Sequence, residues 1–130
     1  MCSFHLAFLK FPLATIAAVN GYALAGGFDM ATMCDIRIAS ENVKFGHPEM
    51  SFGYVVYSPL HDIVGGAQAR ELILTGRTID ASEALSIGLV SKVVPGERLE
   101  VEARNGATQI AKALRHFLLR TKAKIITEQV

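Results

Sequence analysis

The tightest constraint in this chain lies between Thr15 and Asp29, where an apolar run, a turn, a glycine pair and an acid follow one another. Thr15-Ile16-Ala17-Ala18-Val19 has no polar face, which predicts a fully buried strand of the parallel-sheet kind. Asn20-Gly21 stops the run with a turn signal. Ala25-Gly26-Gly27 then leads into Phe28 to Cys34, which reads as a short helix with Phe28, Ala31 and Met33 turned inward. The first amides of a helix have no internal partner, and the helix dipole makes that end positive. Two readings follow for Gly26. It either serves a tight strand-to-helix turn, or it lets a ligand oxygen approach backbone N–H donors that form an oxyanion hole. Asp29 has two readings as well. It is an acid stabilised by the dipole in the first helical turn, or a general acid or base.

Downstream, Asp35 to Ser40 alternates polar and apolar residues and predicts a strand. Val43-Lys44-Phe45 predicts another, stopped by Gly46 and Pro48. Ser51 to Gly66 reads as loop plus a short helix, and Ala67 to Thr75 as a helix ended by Gly76. Asp80 caps the next helix, with Glu83 placed to reach back, and Gly88 ends it. Leu89 to Val94 predicts a strand closed by Pro95. Leu99, Ala103, Ala107, Ile110, Leu114 and Phe117 recur at helical spacing, one face of a long helix weakened by Gly106. The order is mixed α/β, without an internal repeat.

Composition excludes several functions. The 130 residues are 51% apolar and carry 13 basic and 12 acidic side chains, net +1. That balance gives no electrostatic grip on nucleic acid or anionic lipid. The locally basic stretch Arg115 to Lys124 reads as an exposed helix face. No run of about 18 apolar residues predicts a membrane span. Cys2 and Cys34 lie far apart and suit a reduced, cytoplasmic protein with two inert thiols. His5, His47, His61 and His116 have no cysteines at zinc-ligand spacing.

A second carboxylate, Glu49, stands in "FGHPEM" after Pro48, which pushes His47 toward an extended backbone. Two carboxylates facing one carbon suit addition of water across a double bond, one taking a proton from water and the other delivering a proton to carbon. A hydrolase built on His47 or His61-Asp62 would need a serine on a strained elbow, and Ser40, Ser51 and Ser58 lack the G-x-S-x-G surroundings.

The stretch "PLATIAAVNGYALAGGFDMATMCDIRIASENVKFGHPE", continued by "LILTGRTIDASEALSIGLVSKVVP", resembles the enoyl-CoA hydratase/isomerase (crotonase) family over Pro12 to Pro95. The resemblance implies a crotonase-like (ClpP/crotonase) β-β-α superhelix, here partial, over residues 1–96. A C-terminal helical segment, cut short, follows over 97–130. It implies an acyl-CoA thioester as substrate and an enolate held by two backbone N–H groups. It also implies assembly as trimers or hexamers, and no cofactor, since coenzyme A is part of the substrate. Gly26 matches the glycine that supplies the second N–H. Glu49 matches the second catalytic glutamate, and Asp29 falls where hydratases carry the first.

Three departures stand out. Asp29 is shorter than glutamate by one C–C bond, about 1.5 Å. Gly53 to Leu60 replaces the family's glycine-rich stretch beside the acyl pocket. Met1 to Phe11 cannot hold the first oxyanion donor and most of the CoA-binding loop. The expected activity is hydration of an enoyl-CoA. The alternatives are double-bond isomerisation, or an inactive crotonase-like interaction subunit.

Overall fold

The computed structural model describes residues 12–48 and 60–129. Among the described residues six strands and six α-helices follow in chain order: β1 (Ile16–Val19), β2 (Tyr22–Leu24), α1 (Gly26–Met33), β3 (Ile36–Ser40), β4 (Lys44–Gly46), α2 (Leu60–Val64), α3 (Gly66–Thr75), β5 (Ile79–Asp80), α4 (Ala81–Ser86), β6 (Lys92–Val94), α5 (Leu99–Ala111) and α6 (Arg115–Gln129). The first four strands enter two sheets in turn. One sheet has the order β1-β3-β6 and the other β2-β4-β5. The β1–β3 pair is parallel with Ile16 opposite Ile36 and Val19 opposite Ala39. The β2–β4 pair is parallel with Leu24 opposite Gly46, and among the described strand pairs only β4–β5 is antiparallel. A chain that visits two sheets alternately and inserts helices between visits traces the expected β-β-α superhelix.

The main core joins the second sheet to α1 through α4. Phe28, Val43, Phe45, Leu60, Ala84 and Leu89 are buried in it. The rings of Phe28 and Phe45 stand 5.3 Å apart, tilted by 42°, and burying each contributes about 1.5–3 kcal/mol. A smaller cluster of Ile38, Val94 and Leu99 lies under α5.

Several expectations change. The first strand is not fully buried: Ile16, Ala17 and Val19 are half-buried and Ala18 is exposed. Among the described strands β1 lies at the edge of its sheet, and it borders a groove of about 740 Å³ lined in part by Ile16, Ala18, Leu99, Ala103, Ala107 and Leu118. The expected strand from Leu89 shortens to Lys92–Val94, because Leu89 and Val90 are buried in a turn after α4. The single long helix is two helices, broken at residues 112–114, which leaves Leu114 and Phe117 exposed. Gly106 lies inside α5 on the side that faces β1. A Cβ there would make ordinary van der Waals contact with Ile16 Cδ1 at 3.5 Å, so α5 packs on β1 at a distance that an alanine would also allow. Asp80 does cap α4, accepting from the Glu83 amide at 3.0 Å, while the Glu83 carboxylate turns to Arg77.

Candidate active site

The parallel register of β2 and β4 builds the start of α1. Leu24 pairs with Gly46, and the next amide, of Ala25, donates to Gly46 O at 3.0 Å. Ala25 then turns the chain with φ 53° and ψ −123°. The left-handed backbone therefore falls on the alanine, at a strain of about 1–3 kcal/mol, while neither Gly26 nor Gly27 has positive φ. Both glycines are exposed, and a Cβ on either would meet nothing within 4 Å among the described residues. Neither backbone conformation nor described packing asks for glycine at these positions.

The first intrahelical bond runs from Asp29 N to Ala25 O at 3.0 Å, and no side chain caps the helix. The amides of Gly26, Gly27 and Phe28 precede that bond, so they have no acceptor within the helix. Asp29, one turn in, presents a carboxylate whose side chain is 15% exposed. His47, the residue after β4, is 1% exposed and its Nε2 lies 2.7 Å from Asp29 Oδ1. The imidazole stacks on Phe28 with ring centroids 4.6 Å apart and planes 23° from parallel. Nδ1 of His47 is buried with no hydrogen-bond partner among the described residues.

The structure thus brings Gly26 and Asp29 into one helical turn and adds His47, whose part sequence reasoning missed. The available signal was register: a strand ending at Leu24 beside a strand ending at Gly46 sets residue 47 next to the helix that follows the first. Glu49 lies outside the described residues, as do Ser51 and Ser58. Of the alternative hydrolase residues, His47 alone stands here; the others among the described residues stand elsewhere. His61 is exposed on α2, 3.5 Å from Asp62, and Ser40 is buried against Asn42. No group of three metal-ligating side chains occurs among the described residues.

The far end of α1 is held by Arg37. Its guanidinium donates to Cys34 O at 2.6 Å, Ala31 O at 3.1 Å and Leu89 O at 2.7 Å. A cation on the last carbonyls satisfies acceptors that the helix leaves open and complements its dipole. Burial pushes this guanidinium below its ordinary pKa. Burial also pushes the neighbouring Cys34 thiol up, in keeping with an unreactive thiol.

A strand, an exposed glycine pair at a helix N-terminus and a carboxylate one turn in, set in a β-β-α superhelix, define a crotonase-type architecture. A family model described as enoyl-CoA hydratase/isomerase matches residues 3–129, and the chain belongs to that family. It is 51% identical over 102 residues to the probable enoyl-CoA hydratase echA8 of Mycobacterium bovis, covering 75% of this chain and 40% of that protein. A probable enoyl-CoA hydratase/isomerase from Mycobacterium abscessus superposes with a TM-score of 0.91 at 33% identity, covering 96% of this chain and 49% of that one. A Thermobifida fusca protein described as an enoyl-CoA hydratase and solved in complex with CoA gives a TM-score of 0.90 at 33% identity, over 95% of this chain and 50% of that one. The chain spans about half the length of the relatives it matches. No described helix is long and apolar enough to cross a membrane.

Proposed function

We propose that this chain carries the part of an enoyl-CoA hydratase that holds one oxyanion donor and the acid–base carboxylates, and that it acts on an acyl-CoA thioester. The observation that carries this reading is the start of α1, where exposed Gly26 and Gly27 stand one turn from the Asp29 carboxylate. The Gly26 N–H donates to the thioester oxygen as it gains negative charge. One such donor lowers a barrier by about 2.7–4 kcal/mol. Of Asp29 and Glu49, one takes a proton from water as its oxygen bonds to C3. The double-bond electrons move toward the thioester oxygen, and the other, protonated carboxyl returns a proton to C2. Coenzyme A enters as part of the substrate.

The test is turnover of a short enoyl-CoA by the full chain, with products identified by chromatography. Asp29→Asn and Glu49→Gln are each expected to lower turnover at least ~10²-fold. Full activity in either variant overturns its assignment. A 3-hydroxyacyl-CoA product supports hydration. A shifted double bond supports the second reading, isomerisation, which needs only the oxyanion donor and one carboxylate and is favoured by Asp29 standing beside Gly26. Titration calorimetry with an acyl-CoA decides the third: a folded chain that releases no heat is an inert family member.

A further inference from the structure

His47 is a buried imidazole with one bonded nitrogen and one orphan, touching the carboxylate on which the proposed chemistry depends. We propose that His47 is the positioning residue for Asp29, holding its carboxylate through a neutral Nε2–H tautomer. The proposal rests on the reading of Asp29 as an acid–base group.

Three protonation arrangements fit a nitrogen 2.7 Å from a carboxylate oxygen. A doubly protonated imidazole, or a neutral one paired with protonated Asp29, puts a hydrogen on Nδ1. That N–H would be buried without an acceptor among the described residues, and a buried donor left unpaired is costly. The remaining arrangement places the single proton on Nε2 and the charge on Asp29. Its separation fits a charge-assisted bond, which is shorter than the ~2.9–3.0 Å of neutral N–H···O pairs. Stacking on Phe28 and burial at the end of β4 fix the ring, so the ring in turn fixes the carboxylate.

The consequence for Asp29 is directional. Oδ1 is committed to His47, while Oδ2 carries no bond among the described residues and is the oxygen left for substrate or water. An aspartate reaches about 1.5 Å less far than a glutamate. A short side chain that is also free to rotate would sample the productive geometry rarely, and a 1 Å misplacement can cost ~10²-fold in rate. His47 removes that freedom from Asp29 without itself touching the substrate. Because its orphan Nδ1 has no onward partner among the described residues, it orients the carboxylate and does not relay a proton beyond it.

The experiment has a spectroscopic arm and a kinetic arm, both on the full chain. In long-range proton–nitrogen correlation spectra of chain labelled with ¹⁵N-histidine, His47 is expected as the Nε2–H tautomer at neutral pH. Its Nε2 proton should exchange slowly with solvent, and the protection should be lost in Asp29→Ala. An Nδ1–H tautomer or an imidazolium overturns the proposal. In turnover of a short enoyl-CoA, His47→Leu is expected to lower kcat ~10²-fold with KM nearly unchanged. His47→Gln, which keeps an N–H donor near the same place, restores most of it. Equal losses in both variants overturn the positioning role. If the unmodified chain turns nothing over, the hydratase reading fails. The tautomer then decides the His47 proposal by itself, Nε2–H supporting it and any other form refuting it.

Discussion

Ala25 holds a backbone conformation that L-residues avoid, φ 53° and ψ −123°, at the residue where the chain leaves β2 for α1. Its amide bonds Gly46 O and its carbonyl accepts from Asp29 N, so both ends of the peptide unit are committed. Glycine would relieve the Cβ clash, worth about 1–2 kcal/mol, but would add about 0.5–1 kcal/mol of unfolded-chain entropy. Ala25→Gly is therefore expected to raise stability by up to about 1 kcal/mol, and Ala25→Val to lower it by more than about 1 kcal/mol. Urea denaturation at constant m-value measures both, and a clear loss in Ala25→Gly would show that the conformation is not strained. Reading the sequence singled out Gly26 and Asp29 as candidates at one helix start, because glycine pairs and acids there have local causes, and the structure puts both in one turn. It did not find Ala25, since nothing in an alanine's neighbours marks it for positive φ. His47 stayed hidden because its partner lies on another strand–helix unit.

At the scale of elements, the link between α3, β5 and α4 is electrostatic. Arg77 donates to Glu71 at 2.8 and 3.0 Å and to Glu83 at 3.1 and 2.6 Å. Hydrogen bonds from Arg77 hold the Glu83 carboxyl below its ordinary value, and hydrogen bonds to Glu83 and Glu71 raise the guanidinium further. A carboxyl depressed by folding adds stability above its unfolded pKa, about 4.3. That stability is lost as pH falls through the lower folded value. Arg77→Ala should flatten the acid-side slope of thermal stability below about pH 4.5, and leave it unchanged near pH 7 apart from a small uniform loss. Added salt should shrink the difference, because the groups are exposed. Superimposable melting profiles for the two proteins from pH 3 to 6 would refute this (~3–6 being the carboxylate range). The Asp80 cap was legible, since N-cap chemistry is local. The Glu83 return bond was not, because Arg77 competes for that carboxylate from outside the helix. The break between α5 and α6 was invisible for a similar reason: Leu114 and Phe117 keep the helical spacing although neither is buried.

Across the whole molecule, Asp35 ties three distant segments together. Its Oδ2 accepts from Thr15 N at 2.8 Å, just before β1, and lies 2.8 Å from Lys122 Nζ on α6. Lys122 also donates to Leu13 O and is 8% exposed, so the last helix is moored to the start of the first sheet. Removing one partner of a buried charge pair costs about 3–5 kcal/mol. The exposure of Asp35 reduces that here, to about 1–3 kcal/mol for Lys122→Met. Hydrogen exchange should show α6 amides losing protection while β3 amides keep theirs. Equal loss in both elements would mean that α6 is not moored separately. Such ties span most of the chain, and no window of sequence reveals them. The alternation between two sheets was legible only through the family resemblance, for strands as short as Tyr22–Leu24 and Ile79–Asp80 carry too few residues to show a period.

The exposed glycines at the start of α1 bear on how this chain would drift under selection. An alanine in a helix interior is favoured over glycine by about 0.8–1 kcal/mol, and by less in the first turn, and neither Gly26 nor Gly27 is held by described packing or by positive φ. Selection for folding alone would erase both. Their persistence would then measure demand from outside the fold, and a lineage that stopped binding a ligand there should be recognisable by alanines at these two positions before any loss in its core.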